Sequence, residues 1–472
     1  MSILCVVIFS LDEPNLTRIL TVFKENLVKY KGKRISREYT FILFLILIYY
    51  LYKKIRLSMI NFEQLAQKYD TPLYVYDAEK IMDNYHKFCN AFDVKDLKVH
   101  YACKALSNIS ILRLFKNMGA GLDCVSIQEV RLGLKAGFSA KDIIYTPNNV
   151  SEEEFEHAIK VGVKINVDNL QMLECLGINH PGLPVCIRIN PHLMAGGNSK
   201  ISVGHIDSKF GISIHQLPLV NRIVKRLNIP VEGLHVHSGS DILDPDIFLI
   251  AAELMFTAAR EFENLTYIDF GSGFKVKYKE NGLSTDIEQF GKVFSERFNL
   301  FCKEIGKDLT LRFEPGKYMV SEAGYFLTKV NVIKQTTACT FLGIDTGFNH
   351  LIRPMFYDAY HKIENISNPT GDKKIYTVVG YICETDTFGS DRIINEVRKN
   401  DLLLFRNAGA YCFSMASNYN SRYRPAEVLM YQGEDYLIRK REEFSDLLHN
   451  QVMVDLDVMA EPETVLELRE LN

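Results

Sequence analysis

No Cys-x-x-Cys pair, no apolar run long enough for a bilayer, no surplus of basic charge, no internal repeat and no low-complexity tract occurs in the 472 residues of this chain. Each absence closes off a class of protein. A zinc ribbon or a thioredoxin-like redox motif needs paired cysteines. The ten cysteines here stand apart, at Cys5, Cys89, Cys103, Cys124, Cys175, Cys186, Cys302, Cys339, Cys383 and Cys412. A scattered set of this kind is expected to be reduced and mostly buried, which places the chain in the cytoplasm. Nucleic-acid binding leans on a cationic surface. A formal net charge of −3 offers none, so a small molecule is the expected partner and nucleic acid is not.

The longest apolar run, TFILFLILIYYLY at residues 40–52, falls short of the ~20 residues a helix needs to cross hydrocarbon. A second patch, ILCVVIF at residues 3–9, has no cleavage-like site behind it. The texture changes at Met59, where MINFEQLAQKYDTPLYVYD reads as the opening of a compact enzyme. Residues 1–58 are therefore read as an extension of doubtful status: translation starting at Met59, or, as the alternative, a short hydrophobic anchor.

What the chain does hold is enough apolar character, 47% of residues, for a large core. From residue 97 onward, short apolar runs alternate with amphipathic stretches. The runs are KVHYA (98–102), GLDCV (121–125), DIIYTP (142–147), KINVD (164–168), VCIRINP (185–191), GLHVHS (233–238), YIDFGSG (267–273) and TLRFEPG (310–316). Their β-branched and aromatic content suits buried parallel strands. The stretches between them, such as SNISILRLFKNMG and SIQEVRLGLKAG, repeat apolar residues at helical spacing and end on Gly. Eight such units predict an α/β fold, a (β/α)8 TIM-type barrel. After residue 323, YFLTKVNVIKQTT, KIYTVVGYIC, DLLLFRNAG and EDYLIRKRE read as strands. The expected organisation is a lead-in at 59–80 that pairs with a β domain, a barrel at 81–322 and a mostly β C-terminal domain at 323–472.

Barrel chemistry gathers at the C-terminal ends of the strands. Those ends carry Lys104, Asp123, Asn148, Asp168, Arg188, His237, Gly271–Gly273 and Glu314. A lysine buried at a barrel mouth can lose its proton and form a Schiff base with an aldehyde; a solvated loop lysine is the ordinary alternative. The GSGF and EPGK loops follow strands 7 and 8, where barrels often bind phosphate, and glycine lets backbone N–H groups approach such a group closely. Ser240 in HSGS could add a hydroxyl. Glu314 could pair with a pyridine nitrogen, or serve in a structural ion pair. His235, two residues before His237, is expected to point the other way, which argues against a His-x-His metal site. In the second domain, Cys383 and Glu384 of CETD offer a proton donor beside an anion. Arg353 and Tyr357 of HLIRPMFY could hold a carboxylate.

Taken together, YACKAL, HxHSGS, the GSG loop, EPGK, CETDTFG, NHLIRPMFYDAYH and GAYCFSMASNYNSRYRPAEVL resemble the fold-type III decarboxylases that use pyridoxal 5′-phosphate. Among these, the likeness is to the diaminopimelate decarboxylases of lysine biosynthesis, over residues 59–472. The resemblance implies a cofactor on Lys104, with Asp123 beside it and His237 stacked on the ring. It implies Ser240, Gly271, Gly273 and Tyr411 at the phosphate, and Glu314 on the pyridine nitrogen, with Pro315, Gly316 and Lys317 completing that loop. It assigns Lys317, Arg353, Tyr357, Glu384 and Tyr411 to the amino-acid substrate, and Cys383 to proton donation. It also implies a homodimer with shared active sites, in which Cys383 and Glu384 reach the partner's barrel. Three motifs depart from the family pattern: Lys317 stands for the usual Arg, GSG for GGG, and HSGSD for HIGSQ. The cations Arg353 and Lys317 with the anion Glu384 suit a substrate whose far end carries both a carboxylate and an ammonium. Two alternatives stay open: a decarboxylase of another basic amino acid or carboxylated polyamine on the same fold, and a non-catalytic cofactor-binding barrel.

Overall fold

A computed structural model describes residues 60–193, 208–237, 239–243 and 245–454. The readings made for residues 1–58, including the apolar run at 40–52 and the start at Met59, lie outside the described residues. Among the described residues, no helix is long and apolar enough to cross a membrane.

The first strand, β1 (Leu73–Asp77), precedes the barrel. The barrel then follows as β2 (Leu97–Ala102), β3 (Gly121–Cys124), β4 (Ile143–Tyr145), β5 (Lys164–Val167), β6 (Val185–Asn190), the two-residue β7 (Ile212–Ser213), β8 (Val231–His235), β9 (Tyr267–Asp269) and β10 (Thr310–Phe313). All neighbours are parallel, in the order β5-β4-β3-β2-β10-β9-β8-β6, and β5 also pairs with β6 to close the ring. β7 adds onto β6 at the rim. All eight runs read from the sequence form barrel strands. They are mostly apolar because a parallel strand is covered on both faces.

The connecting helices form for local reasons. Ile127–Ala136 begins where the Ser126 hydroxyl accepts from the Glu129 N–H and ends at Gly137, whose φ of +100° few other residues tolerate. Ile109–Asn117 starts at Asn108, whose side chain accepts from the Ser110 N–H. Between helix and barrel wall lies an aromatic cluster. Phe88 meets Phe274 edge-on at 5.1 Å and Phe92 lies 4.8 Å from Phe313. Each such ring is worth about 1.5–3 kcal/mol of burial.

The second sheet contains β11 (Gly324–Gln335), β12 (Thr340–Ile344), β13 (Ile363–Asn365), β14 (Lys373–Val379), β15 (Thr387–Asn395), β16 (Leu402–Phe405), β17 (Ala426–Tyr431) and β18 (Glu434–Arg439). β1 lies inside it, antiparallel to β11 and parallel to β17. The long β11 pairs along part of its length with β16 and, farther on, with β12. This domain reaches the barrel mouth through two loops. The Tyr411 N–H and the Ser414 hydroxyl both donate to the Ala105 carbonyl, at 2.9 and 3.2 Å. Arg353 opens a short helix, Arg353–Tyr357, whose first and last side chains line the same opening.

Candidate active site

The C-terminal ends of the barrel strands and the loops above them enclose a cavity of about 1130 Å³. Lys104, Asp123, His237, Ser240, Glu314, Lys317, Arg353, Tyr357 and Tyr411 all line it. A smaller recess of about 60 Å³ opens beside it, walled by Gly239, Ser240, Ser272, Gly273, Gly316 and Tyr411. The backbone makes the recess possible. Gly273 has φ +137°, and a Cβ there would lie 2.7 Å from the Gly239 carbonyl.

Lys104 sits in the tight turn Cys103–Ala105 that follows β2. Its side chain lines the cavity and is 41% exposed, and its amine lies 3.8 Å from the buried Asp123 carboxylate. Burial lowers its proton affinity, but Asp123, Tyr411 and Glu314 outweigh that and raise it above the ordinary lysine value. The expectation of a lysine deprotonated by burial is thus corrected: three nearby acidic groups favour the ammonium. The amine must shed a proton before it can attack a carbonyl.

His237 is neutral. Burial, together with Lys104 and Arg188, holds it well below the usual histidine range. The Ser272 N–H donates to its Nδ1 at 3.3 Å, so its own proton sits on Nε2. Glu314 follows β10 and is buried. Burial and the neighbouring Asp123 push its carboxyl up to about 8. Its Oε2 lies 3.0 Å from His235 Nε2, while Oε1 has no partner.

His235 does not point away. It lines the cavity with His237. The physical reason is the pleat: residues two apart on a strand share a face, and β8 ends at His235, so His237 belongs to the loop above it.

The remaining loop residues divide their tasks. The Lys317 ammonium donates to Ser240 Oγ at 2.7 Å and Asp241 Oδ1 at 2.6 Å. The Ser240 hydroxyl proton is left to face the recess. Pro315 and Gly316 are buried beneath, where a Cβ on Gly316 would press against Ala102 and Ala105 at 3.0 Å. Gly271, with φ +60°, donates its N–H to Asp269 Oδ1 at 2.8 Å. Arg353 donates to the Tyr278 hydroxyl at 2.8 Å and is flanked by His361. Burial and Arg353 hold His361 down at about 3, so it adds no charge.

Cys383 and Glu384 are not in this cavity. Both are exposed, in a cluster of their own. The Asn420 side chain accepts from the Cys383 N–H at 3.0 Å and donates to its sulfur at 3.1 Å; Tyr419 donates to Glu384 at 2.9 Å. Arg188 and Asn148, noted only as strand-end polar groups, do line the cavity; Asp168 instead accepts from Asn148. Asp241, Tyr278 and Asp269 were not singled out. Asp241 closes the HSGSD motif and Asp269 lies within the predicted strand at 267–273, so position alone could have raised both. No sequence signal marks Tyr278.

Residues 78–321 match the family model described as the pyridoxal binding domain of pyridoxal-dependent decarboxylases. A diaminopimelate decarboxylase from Methanothermobacter thermautotrophicus is 40% identical, over 82% of this chain and 93% of the relative. One from Campylobacter jejuni is 34% identical, over 82% and 97%. The crystal structure of the Helicobacter pylori diaminopimelate decarboxylase complexed with L-lysine superposes with a TM-score of 0.77 at 32% identity, covering 82% of this chain and 98% of that one.

Proposed function

This chain belongs to the diaminopimelate decarboxylases, a branch of the pyridoxal-dependent decarboxylases, and from that premise we propose that it converts meso-2,6-diaminopimelate to L-lysine and CO2. The observation that carries the reading is a single cavity shared by the Lys104 amine, the unpartnered Glu314 Oε1 and the glycine-walled recess.

These residues fit pyridoxal 5′-phosphate. The recess offers Ser240, Tyr411 and glycine backbone to a phosphate. A buried carboxylate oxygen without a partner is costly, and a ring N–H is the donor it needs. Lys104 is positioned to hold the aldehyde. When bound, the cofactor supplies an electron-withdrawing ring that accepts the electron pair left as the carboxylate departs.

The chain's own residues do the rest. Asp123 is the nearest acid to Lys104 and balances its charge. His237, uncharged, offers a flat face at the cavity floor without adding repulsion. Arg353 binds the substrate's far carboxylate through its fork of donors, with Tyr357 and Lys317 beside it. Lys317 shares its charge with Asp241, so Arg353 is the stronger anchor. Cys383 returns a proton to the α-carbon, and Glu384 takes the far ammonium. Because both lie outside the cavity of their own chain, they come from a second copy. The working unit is a homodimer with shared sites, in the cytoplasm.

A substrate panel tests the reading. With added cofactor, CO2 release should be fastest from meso-diaminopimelate and weak from ornithine, arginine or carboxylated polyamines. Faster release from a substrate without a far carboxylate would overturn the assignment.

A further inference from the structure

His235, Asp269 and Glu314 end or follow three adjacent barrel strands, β8, β9 and β10. Their relative exposures are 1%, 1% and 7%. One nitrogen of His235 and one carboxylate oxygen from each acid lie within 4.8 Å of one another. Only one hydrogen bond joins the three directly, between His235 Nε2 and Glu314 Oε2 at 3.0 Å. Asp269 is fixed from its other side by the Gly271 N–H at 2.8 Å. The Gly271 carbonyl in turn accepts from the Glu314 N–H at 2.6 Å.

Three buried atoms remain without partners: His235 Nδ1, Asp269 Oδ2 and Glu314 Oε1. Each unmet group costs about 1–3 kcal/mol. His235 Nδ1 and Asp269 Oδ2 make no hydrogen bond with each other, so the Nε2 contact is the one that orders the cluster. His235 carries its proton on Nε2 and donates to Glu314 Oε2. Glu314 Oε1 is left without a partner on the cavity side.

We propose that His235 is a positioning residue that holds Glu314 by its inner oxygen so that the outer oxygen keeps a proton on the cofactor's ring nitrogen. This rests on the reading of Glu314 given above. The electrostatics agree with it. Burial and the adjacent Glu314 push Asp269 up to about 8. Burial holds His235 down at about 4, so it is a neutral imidazole with one donor and one acceptor nitrogen. The other charged groups that face the three are Lys104, Arg188 and Arg312 as cations and Asp123 as an anion. Without the His235 N–H, the inner oxygen of Glu314 has no donor. The carboxyl then keeps a proton itself and leaves the ring nitrogen bare.

The test is the 15N chemical shift of ring-labelled pyridoxal phosphate bound to the parent, His235→Leu, His235→Gln, Asp269→Asn and Glu314→Gln proteins. In the parent the ring nitrogen is expected to be protonated at neutral pH. His235→Leu should lower its protonation constant by about tenfold or more, one pKa unit. His235→Gln, which keeps an N–H donor, should restore it, and Asp269→Asn, which leaves the His235–Glu314 bond in place, should resemble the parent. An unshifted ring nitrogen in His235→Leu overturns the proposal. If the parent's ring nitrogen is bare, or Glu314→Gln leaves it protonated, the reading of Glu314 itself fails instead. A second measurement needs no variant. 15N-histidine spectra of the cofactor-free parent should show His235 neutral with its proton on Nε2; a proton on Nδ1 overturns the proposal.

Discussion

Mixing two inactive proteins should restore about a quarter of the parent activity. The perturbations are Lys104→Ala, which empties the cavity of its amine, and Cys383→Ala, which removes the proposed proton donor. Lys104 lines the cavity of its own chain, and Cys383 lies exposed in a separate cluster with Asn420. If Cys383 serves a second copy, each site takes Lys104 from one chain and Cys383 from the other. Equal mixing after subunit exchange gives about half mixed dimers. Each mixed dimer has one site with both residues and one with neither, so about 0.5 × 0.5 of the parent rate returns on the same symmetry argument. The parents set a low baseline, because losing a positioned proton donor costs about 10²–10⁴-fold. The assay is CO2 release from meso-diaminopimelate before and after exchange. A mixture no more active than the mean of its two components would mean that both residues serve the same chain, and the shared-site reasoning would be refuted.

Three other outcomes follow from the geometry. Arg353→Ala removes a charge-assisted contact worth about 1.5–3 kcal/mol, so the KM for diaminopimelate should rise about 10–100-fold while cofactor uptake, followed by absorbance, stays near the parent's. Gly273→Ala puts a Cβ 2.7 Å from the Gly239 carbonyl at φ +137°, a strain of about 1–3 kcal/mol; cofactor binding should weaken by about tenfold or more when titrated by fluorescence. Cofactor-free protein should lose stability as pH rises from about 6.5 to 8. Asp269 and Glu314 titrate near 8 when folded and near 4 when unfolded, so across that window the folded state binds more protons and stability falls. Below about 6.5 the depressed His235 opposes this, since there the unfolded chain binds more protons. Melting temperatures against pH should show a shallower fall for Glu314→Gln, and an unchanged slope would contradict the raised carboxyl.

The barrel was legible because its strands are buried on both faces and read as apolar runs, each closing on polar groups. The β domain was legible in part. β11, β14, β16 and β18 stood out, but β13 spans only Ile363–Asn365 and β15 carries Ser390, Asp391 and Arg392 mid-strand. β17 was hidden inside a motif read for its chemistry. In the site, residues within loop motifs were found and those defined by three-dimensional neighbours were not. The charge on Lys104 depends on Asp123, Tyr411 and Glu314, which sit far apart in the chain. His235 was misplaced by a misapplied strand alternation, although its spacing from His237 held the correct answer. Tyr278 reaches Arg353 across 75 positions, a contact that no local pattern encodes.

The most direct measurement uses purified protein, pyridoxal 5′-phosphate and carboxyl-labelled meso-diaminopimelate. Labelled CO2 and L-lysine should form in equal amounts, only with the cofactor present, and the Lys104→Ala protein should form neither. Release of CO2 by Lys104→Ala at the parent rate, or release without lysine, would contradict the account.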